Sequence, residues 1–219
     1  MREMRSEKWN LKKLTIKEFD KAAEHFEDNT PSVYNLCKKD YPDILREINK
    51  ENWHSILDAG CGTAAVIELL SRKYPDKEYT GIDISEKMIE VASKKHLKNT
   101  RFVQGDCENL PFEKENFDVV ICCQSFHHYT DPQGFFNSVF RVLKKGGRLI
   151  LRDMSTECVP AYWFANHIEM PLINYIARRG DVRIYNKKDI EKLCQNSGMI
   201  LERFEHKWFF RMHVVCRKK

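Results

Sequence analysis

Three aspartates, Asp58, Asp83 and Asp106, stand where a glycine turn and strand ends can assemble a nucleoside-binding site. Asp58 sits near the end of the apolar run Ser55–Ala59, and Gly60-Cys61-Gly62-Thr63-Ala64 comes directly after it. Gly60 and Gly62 can take backbone angles closed to other residues, and they let the main chain approach a ligand. Asp83 ends the run Glu78–Asp83, 21 residues after Gly62. A carboxylate there can accept two hydrogen bonds from a ribose diol. Asp106 comes after the run Thr100–Gln104, at the place where an adenine amino group would lie. Aspartates also cap turns and helices for structural reasons alone. Three of them at three successive strand ends are poorly explained that way. A histidine pair, His127 and His128, lies just past a fourth apolar run, Phe117–Cys123. Imidazole suits proton transfer near neutral pH, although a histidine can equally pack or hydrogen-bond within a loop.

These groups need a scaffold, and the apolar pattern supplies one. Residues 16–27 and 32–50 carry apolar stripes at three- to four-residue spacing, with Pro42 expected to kink or split the second helix. Strands and helices then alternate. Ser55–Ala59 leads to a helix at Ala65–Lys73, and Glu78–Asp83 to a helix at 86–95 with Ser85 as its N-cap. Thr100–Gln104 comes next, and Phe117–Cys123 is apolar almost throughout, as a strand buried on both faces should be. Asp131-Pro132 opens a helix to Leu143, which Gly146-Gly147 is expected to close, and 148–153 is the fifth strand. Residues 155–185 break the rhythm, with a helix expected over 162–177. A helix at 186–196 ends at Gly198, and 199–206 with 209–216 form a hairpin. The fold class is α/β: a Rossmann-like, seven-stranded, mostly parallel sheet with helices on both faces and a C-terminal antiparallel hairpin.

Composition bounds the remaining choices. The 219 residues are 42% hydrophobic and 32% charged, enough to fold around one well-buried core. The net charge of +5 is mild and comes without a long basic run, so charge does not argue for a nucleic-acid partner. The eight cysteines include no C-x-x-C pair, and several fall in apolar runs. Free thiols fit a reducing, cytoplasmic setting. Residues 1–13 lack the apolar stretch of a signal peptide, and no run approaches the length of a membrane span. The remaining histidines show no metal-like spacing, so no metal is expected.

Several stretches together resemble one family: Leu57-Asp58-Ala59-Gly60-Cys61-Gly62-Thr63, Gly81-Ile82-Asp83-Ile84-Ser85 with Met88, Gly105-Asp106 before Leu110-Pro111-Phe112, Phe117-Asp118-Val119-Val120, and Leu143-Lys144-Lys145-Gly146-Gly147. They look like the class I S-adenosylmethionine-dependent methyltransferases, and most like the small-molecule branch that includes the ubiquinone and menaquinone C-methyltransferases. The resemblance implies transfer of a methyl group from S-adenosylmethionine to a small-molecule acceptor by in-line displacement, leaving S-adenosylhomocysteine. By the same resemblance Asp58 and the Gly60-Cys61-Gly62 backbone hold the methionine end of the cofactor, and Asp83 holds the ribose. Ile84 and Met88 pack on adenine, Asp106 and the Cys107 backbone read its edge, and Cys123 and Gln124 lie under the sulfonium. The family often has a third glycine where this chain has Ala64. Alanine is small enough to keep the helix near the strand.

The resemblance also divides the chain. Residues 1–52 form an N-terminal helical segment over the site, with Phe19, Phe26 and Tyr34 toward the methionine end. Residues 53–219 form the methyltransferase domain, with a substrate cover at 155–185. In that cover Tyr162, Trp163, Phe164, His167, Met170, Tyr175 and Tyr185 either line a pocket or form the core of a small lid. Arg178, Arg179 and Arg183 either bind an anionic group or form a solvated turn. Much of the catalysis can come from alignment and desolvation. If the acceptor is a hydroxyl or an acidic carbon, a base helps, and His128 and His127 are the candidates, with Tyr129 behind them.

Three other readings compete. A nicotinamide dehydrogenase would share the glycine turn and the later acid, but its fingerprint is G-x-G-x-x-G and gives Asp106 no part. Base-amino methyltransferases typically carry an Asn/Asp-Pro-Pro-aromatic tetrad, where this chain has Gln124-Ser125-Phe126-His127-His128-Tyr129. A protein that binds the cofactor without catalysis would keep the loop and lose the acceptor site.

Overall fold

In the computed structural model, which describes residues 2–28, 37–207 and 210–219, the apolar runs pair into one sheet. Its strands are β1 (Ser55–Ala59), β2 (Glu78–Asp83), β3 (Thr100–Gln104), β4 (Phe117–Cys123), β5 (Leu143–Met154), β6 (Met199–Lys207) and β7 (Arg211–Lys218). Their order is β3-β2-β1-β4-β5-β7-β6. The first five run parallel, and β7 enters antiparallel between β5 and β6. This is the Rossmann-like, seven-stranded arrangement expected from the sequence. The strand order reverses between β1 and β4, and such a switch point opens a crevice at the carboxyl ends of the strands.

The helices are α1 (Arg2–Ala22), α2 (Tyr41–Ile48), α3 (Ala65–Lys73), α4 (Glu86–Ser93), α5 (Pro132–Val142), α6 (Val159–Phe164), α7 (Met170–Ile176) and α8 (Lys187–Ser197). They cover both faces, and the strands divide their side chains between two cores with the period of two that a pleat imposes. Leu57, Val120, Leu149 and Leu151 join Phe126, Phe135 and Phe136 on one side. Ile56, Val119, Ile121 and Ile150 join Ile44, Ile67 and Leu70 on the other. Capping matches the sequence closely. Ser85 accepts from Met88 N at 3.1 Å, Asp131 caps α5, and Asn186 with Asp189 forms a capping box ahead of α8. Among the described residues no helix is long and apolar enough to cross a membrane.

Three local expectations need correction. The first helix begins at Arg2, well before residue 16, and passes through a 3-10 turn at Ala23–His25. Pro42 stands in the first turn of α2, directly after a 3-10 turn at Lys38–Asp40, in keeping with a segment split there. The earlier part of the expected 32–50 helix, with Val33, Tyr34 and Leu36, lies outside the described residues, as does Phe209 of the hairpin. Gly146-Gly147 does not cap α5, because Leu143 is already extended and pairs with Phe117. In the cover, helix begins at Val159, and a π-helical turn at Ala165–Glu169 joins α6 to α7.

A buried ion cluster ties the N-terminal elements to the sheet. Asp40, fully buried just before α2, accepts from Arg152 Nε of β5 at 3.0 Å and from Arg211 Nη1 of β7 at 2.6 Å. Gln124 Nε2, after β4, donates to the same carboxylate at 2.8 Å. Removing one partner leaves buried charge uncompensated, which costs about 3–5 kcal/mol. Asp40→Ala is therefore expected to lose about that much in urea unfolding; a loss under about 1 kcal/mol would show that the cluster does not fasten the segment.

Candidate functional site

The ends of β1 to β4 open into a cavity of about 1150 Å³. Every residue singled out from the sequence for the cofactor lines it: Asp58, Gly60, Cys61, Gly62, Asp83, Ile84, Met88, Asp106, Cys107, Cys123 and Gln124. His127, His128, Tyr129, Phe19 and Phe26 line it as well.

The glycine turn packs directly against the end of β2. Gly60 N and Cys61 N both donate to Ile82 O, at 2.8 and 3.0 Å. Gly62 N donates to Asp83 Oδ2 at 2.9 Å, and Ser85 N to Asp83 Oδ1 at 2.9 Å. Gly60 has φ +78, and a Cβ there would sit 2.1 Å from Ser125 Oγ and 2.5 Å from its Cβ. Gly62 has φ +51, yet a Cβ would meet only ordinary contacts at 3.9 and 4.0 Å. Ala64, in place of the family's third glycine, is fully buried and left-handed at φ 66. The consequence of that substitution is therefore backbone strain of roughly 1–2 kcal/mol, not crowding between helix and strand.

The acids are tuned by burial. Burial pushes Asp58 up to about 7, and neighbouring Asp83 adds to the rise. Its carboxyl takes no hydrogen bond from another described side chain, so a cationic ligand group beside it would both pair with it and ionise it. Burial also raises Asp83, against the hydrogen bonds from Ser85 and Gly62. Asp106 Oδ2 holds Lys12 of α1 at 2.6 Å, and its Oδ1 accepts from Glu108 N at 2.9 Å. The side chain of Gln124 is engaged by Asp40. Burial drives the Cys123 thiol far above its usual range, so it is inert toward ionisation.

Across the cavity lies a carboxylate–imidazole cluster. His127 Nδ1 lies 2.7 Å from Oδ1 of Asp153, which is fully buried. Backbone N–H groups of Phe126 and Met154 donate to the same carboxylate at 2.7 and 2.6 Å. Nε2 of His127 and Nδ1 of His128 face Asp181 Oδ1 at 3.6 and 3.3 Å. Burial opposes protonation of His127, but Asp153, Asp181 and Glu18 outweigh it and raise its pKa. Burial and the His127 charge hold His128 well below the usual histidine range. Burial and Asp181 push Glu18 up to about 7. His127, His128 and Asp181 bring ligand atoms within 4.8 Å of one another, close enough to share a cation. Spacing along the chain cannot show this grouping, because Asp181 arrives from the distant cover.

Of the cover's named aromatic and basic residues, only Arg179 lines the cavity. Tyr162 donates to Asp189 at 2.8 Å, and Tyr185 stacks on Phe126 in the core. Trp163, Phe164 and Tyr175 are exposed. Lys12, Glu18, Asp153 and Asp181 were not legible as site residues. Asp153 alone carried a signal, as a further acid at the end of a parallel strand.

Residues 57–151 match a family model described as a methyltransferase domain. The chain is 35% identical over 144 residues to a demethylmenaquinone methyltransferase of Thermotoga maritima, covering 65% of this chain and 62% of that protein. It is 33% identical over 149 residues to a phthiotriol/phenolphthiotriol dimycocerosates methyltransferase of Mycobacterium ulcerans, covering 68% and 54%. The chain thus spans less than two thirds of the length of these relatives. Among solved structures, the YcgJ protein of Bacillus subtilis is similar at a TM-score of 0.67 and 28% identity, over 78% of this chain and 72% of that one.

The two loop glycines are expected to differ under substitution. Gly60→Ala combines strain with a clash and should cost at least about 2 kcal/mol in chemical denaturation. Gly62→Ala should cost about 1 kcal/mol from strain alone. Equal costs would mean that contact with Ser125 does not shape the turn.

Proposed function

We propose, from the match of residues 57–151 to a methyltransferase-domain model, that this chain transfers a methyl group from S-adenosylmethionine to a hydrophobic small molecule. The observation that carries this reading is the convergence on one cavity of a glycine turn, three strand-end acids and, opposite them, a buried His127–Asp153 pair. The cavity of about 1150 Å³ exceeds the roughly 300–1,000 Å³ usual for one ligand, which suits a cofactor together with an acceptor. The names of two relatives, a demethylmenaquinone and a phthiotriol dimycocerosate methyltransferase, favour a greasy acceptor.

The donor set fits the cofactor. Asp58, buried and offered no hydrogen bond by a described side chain, suits the methionine ammonium, and the Gly60-Cys61-Gly62 backbone leaves room for the methionine chain. Asp83 suits the ribose hydroxyls. Ile84 and Met88 suit the faces of adenine, and Asp106 with the Cys107 backbone its edge. The amino group would share Asp106 with Lys12. Cys123 and Gln124, which line the same cavity, suit the sulfonium end. When bound, S-adenosylmethionine supplies a methyl group on a positively charged sulfur. The reading assigns the cover of this half to the described part of residues 1–52, from which Phe19, Phe26 and Asp40 line the cavity, and the acceptor half to the side lined by Arg179 and Asp181.

The chain's own residues handle the proton. Asp153 holds Nδ1–H of His127 and so fixes the tautomer that leaves Nε2 as the acceptor. Nε2 would then be placed to take the proton that an acceptor hydroxyl or acidic carbon gives up. His128 stays neutral and borders the same space, its ring edge-on to Phe19 at 5.2 Å.

A base must be unprotonated to act. The His127 pKa is raised above 6.5, so kcat/KM should fall at low pH and rise with an inflection above that value. Glu18 and Asp58 both titrate near 7 in the same cavity, so the assignment rests on a variant. His127→Ala should lower kcat by about 100-fold or more and remove that limb, with S-adenosylhomocysteine affinity unchanged. A variant that keeps the limb would rule His127 out. The close approach of His127, His128 and Asp181 favours a second reading, a divalent cation that binds the acceptor. Dialysis against EDTA separates the two: we expect turnover to be unaltered, whereas a loss restored by added metal would replace the base.

A further inference from the structure

We propose that the outer face of α6 and α7 docks the protein on an anionic lipid bilayer, from which the acceptor enters the cavity. This rests on the proposed reading that the acceptor is hydrophobic.

Among the described residues, seven of the ten exposed large apolar side chains fall in the single stretch 159–176. They are Val159 at 76% exposure, Trp163 at 55%, Phe164 at 54%, Ile168 at 42%, Leu172 at 51%, Tyr175 at 84% and Ile176 at 72%. Phe164, Ile168, Leu172 and Ile176 recur every four residues, which lines them along one side of a helix. The opposite side rests on a small core of Ala165, Met170 and Ile184. Polar fasteners hold the segment down: Asn166 pairs with both the N–H and the C=O of Ile184, and Asn174 Oδ1 accepts from Gly180 N at 2.8 Å. The apolar outer face is therefore not turned toward the protein's own core. A patch of this kind on a folded domain marks an interaction surface.

Charge and aromatic placement specify the partner. Between Val159 and Arg179 the only acid is Glu169, and the stretch ends in the exposed pair Arg178 and Arg179. Tryptophan and tyrosine beside arginines, next to branched aliphatics, suit the boundary between headgroups and acyl chains. Headgroup phosphates pair Arg178, which a purely apolar protein face would leave desolvated, while Arg179 also meets Glu18 at 3.8 Å. The surface also adjoins the site. Arg179 and Asp181 line the cavity, and Val182 N and Arg183 N donate to His127 O at 2.8 and 3.2 Å. An acceptor leaving the bilayer at the end of α7 meets the cavity wall within a few residues of the proposed base.

The test is flotation of the purified protein with vesicles of phosphatidylcholine alone and of phosphatidylcholine with phosphatidylglycerol. The wild type should bind the mixed vesicles at least about tenfold more tightly than the neutral ones, and less well at high salt. The triple variant Trp163→Ser, Leu172→Ser, Ile176→Ser should lose binding by about tenfold or more, and Arg178→Glu should weaken binding to the mixed vesicles only. Circular dichroism and titration with S-adenosylhomocysteine check that each variant is folded. They also separate this proposal from the functional reading, since a wild type that binds the cofactor but ignores vesicles overturns docking alone. Binding by the triple variant equal to the wild type overturns it too. So does sedimentation showing that the wild type is a dimer and the triple variant a monomer, because a second copy would then cover the face.

Discussion

The turn after β1 closes against β2 because two backbone N–H groups reach Ile82 O and a third reaches Asp83. That closure requires Gly60, whose φ of +78 and contact with Ser125 leave no space for a side chain. It couples three things that the site needs together. It sets the start of α3, it holds the Asp83 carboxylate at the strand end, and it brings the loop after β4 against the turn through Ser125 and Tyr129. Tyr129 OH accepts from Ser125 Oγ at 3.0 Å and donates to Ala59 O at 3.4 Å. The histidines just after Ser125 are thereby placed relative to the glycine turn by a short, buried chain of contacts.

Much of this was legible because strands buried on both faces write themselves as unbroken apolar runs, and the residues just past each run then sit at one edge of the sheet. Asp58, Asp83, Asp106 and His127 were all found by that rule. Lys12, Glu18 and Asp181 were not, because they reach the cavity from α1 and from the cover, where helical or irregular backbone gives no fixed direction toward the strand ends. The aromatic residues of the cover were ambiguous for the same reason. Composition marks Trp163 and Tyr175 as apolar contacts, and only the three-dimensional arrangement shows that they face outward. Gly146-Gly147 misled locally, since strand pairing of Leu143 with Phe117 overrides a glycine cap.

The cavity has two electrostatic halves. On the glycine-turn side, burial raises both Asp58 and Asp83, Asp58 to about 7, so a cation arriving beside Asp58 favours its ionised form. On the other side, Asp153 and Asp181 bracket His127 and outweigh its burial. Such a division suits a reaction in which a positively charged donor lies at one end and a proton leaves the acceptor at the other. The buried link of Asp40 to Arg152 and Arg211 keeps the two halves in one body, since Gln124 joins the same carboxylate from the strand between them.

The most direct measurement is calorimetric titration with S-adenosylhomocysteine and with NAD, on the wild type and on Asp83→Ala. The account requires that the sulfur ligand bind the wild type, that NAD not bind, and that Asp83→Ala weaken the sulfur ligand by at least about tenfold through lost hydrogen bonds to a charged group. NAD binding without the sulfur ligand, or an Asp83→Ala variant that binds S-adenosylhomocysteine as tightly as the wild type, would contradict it.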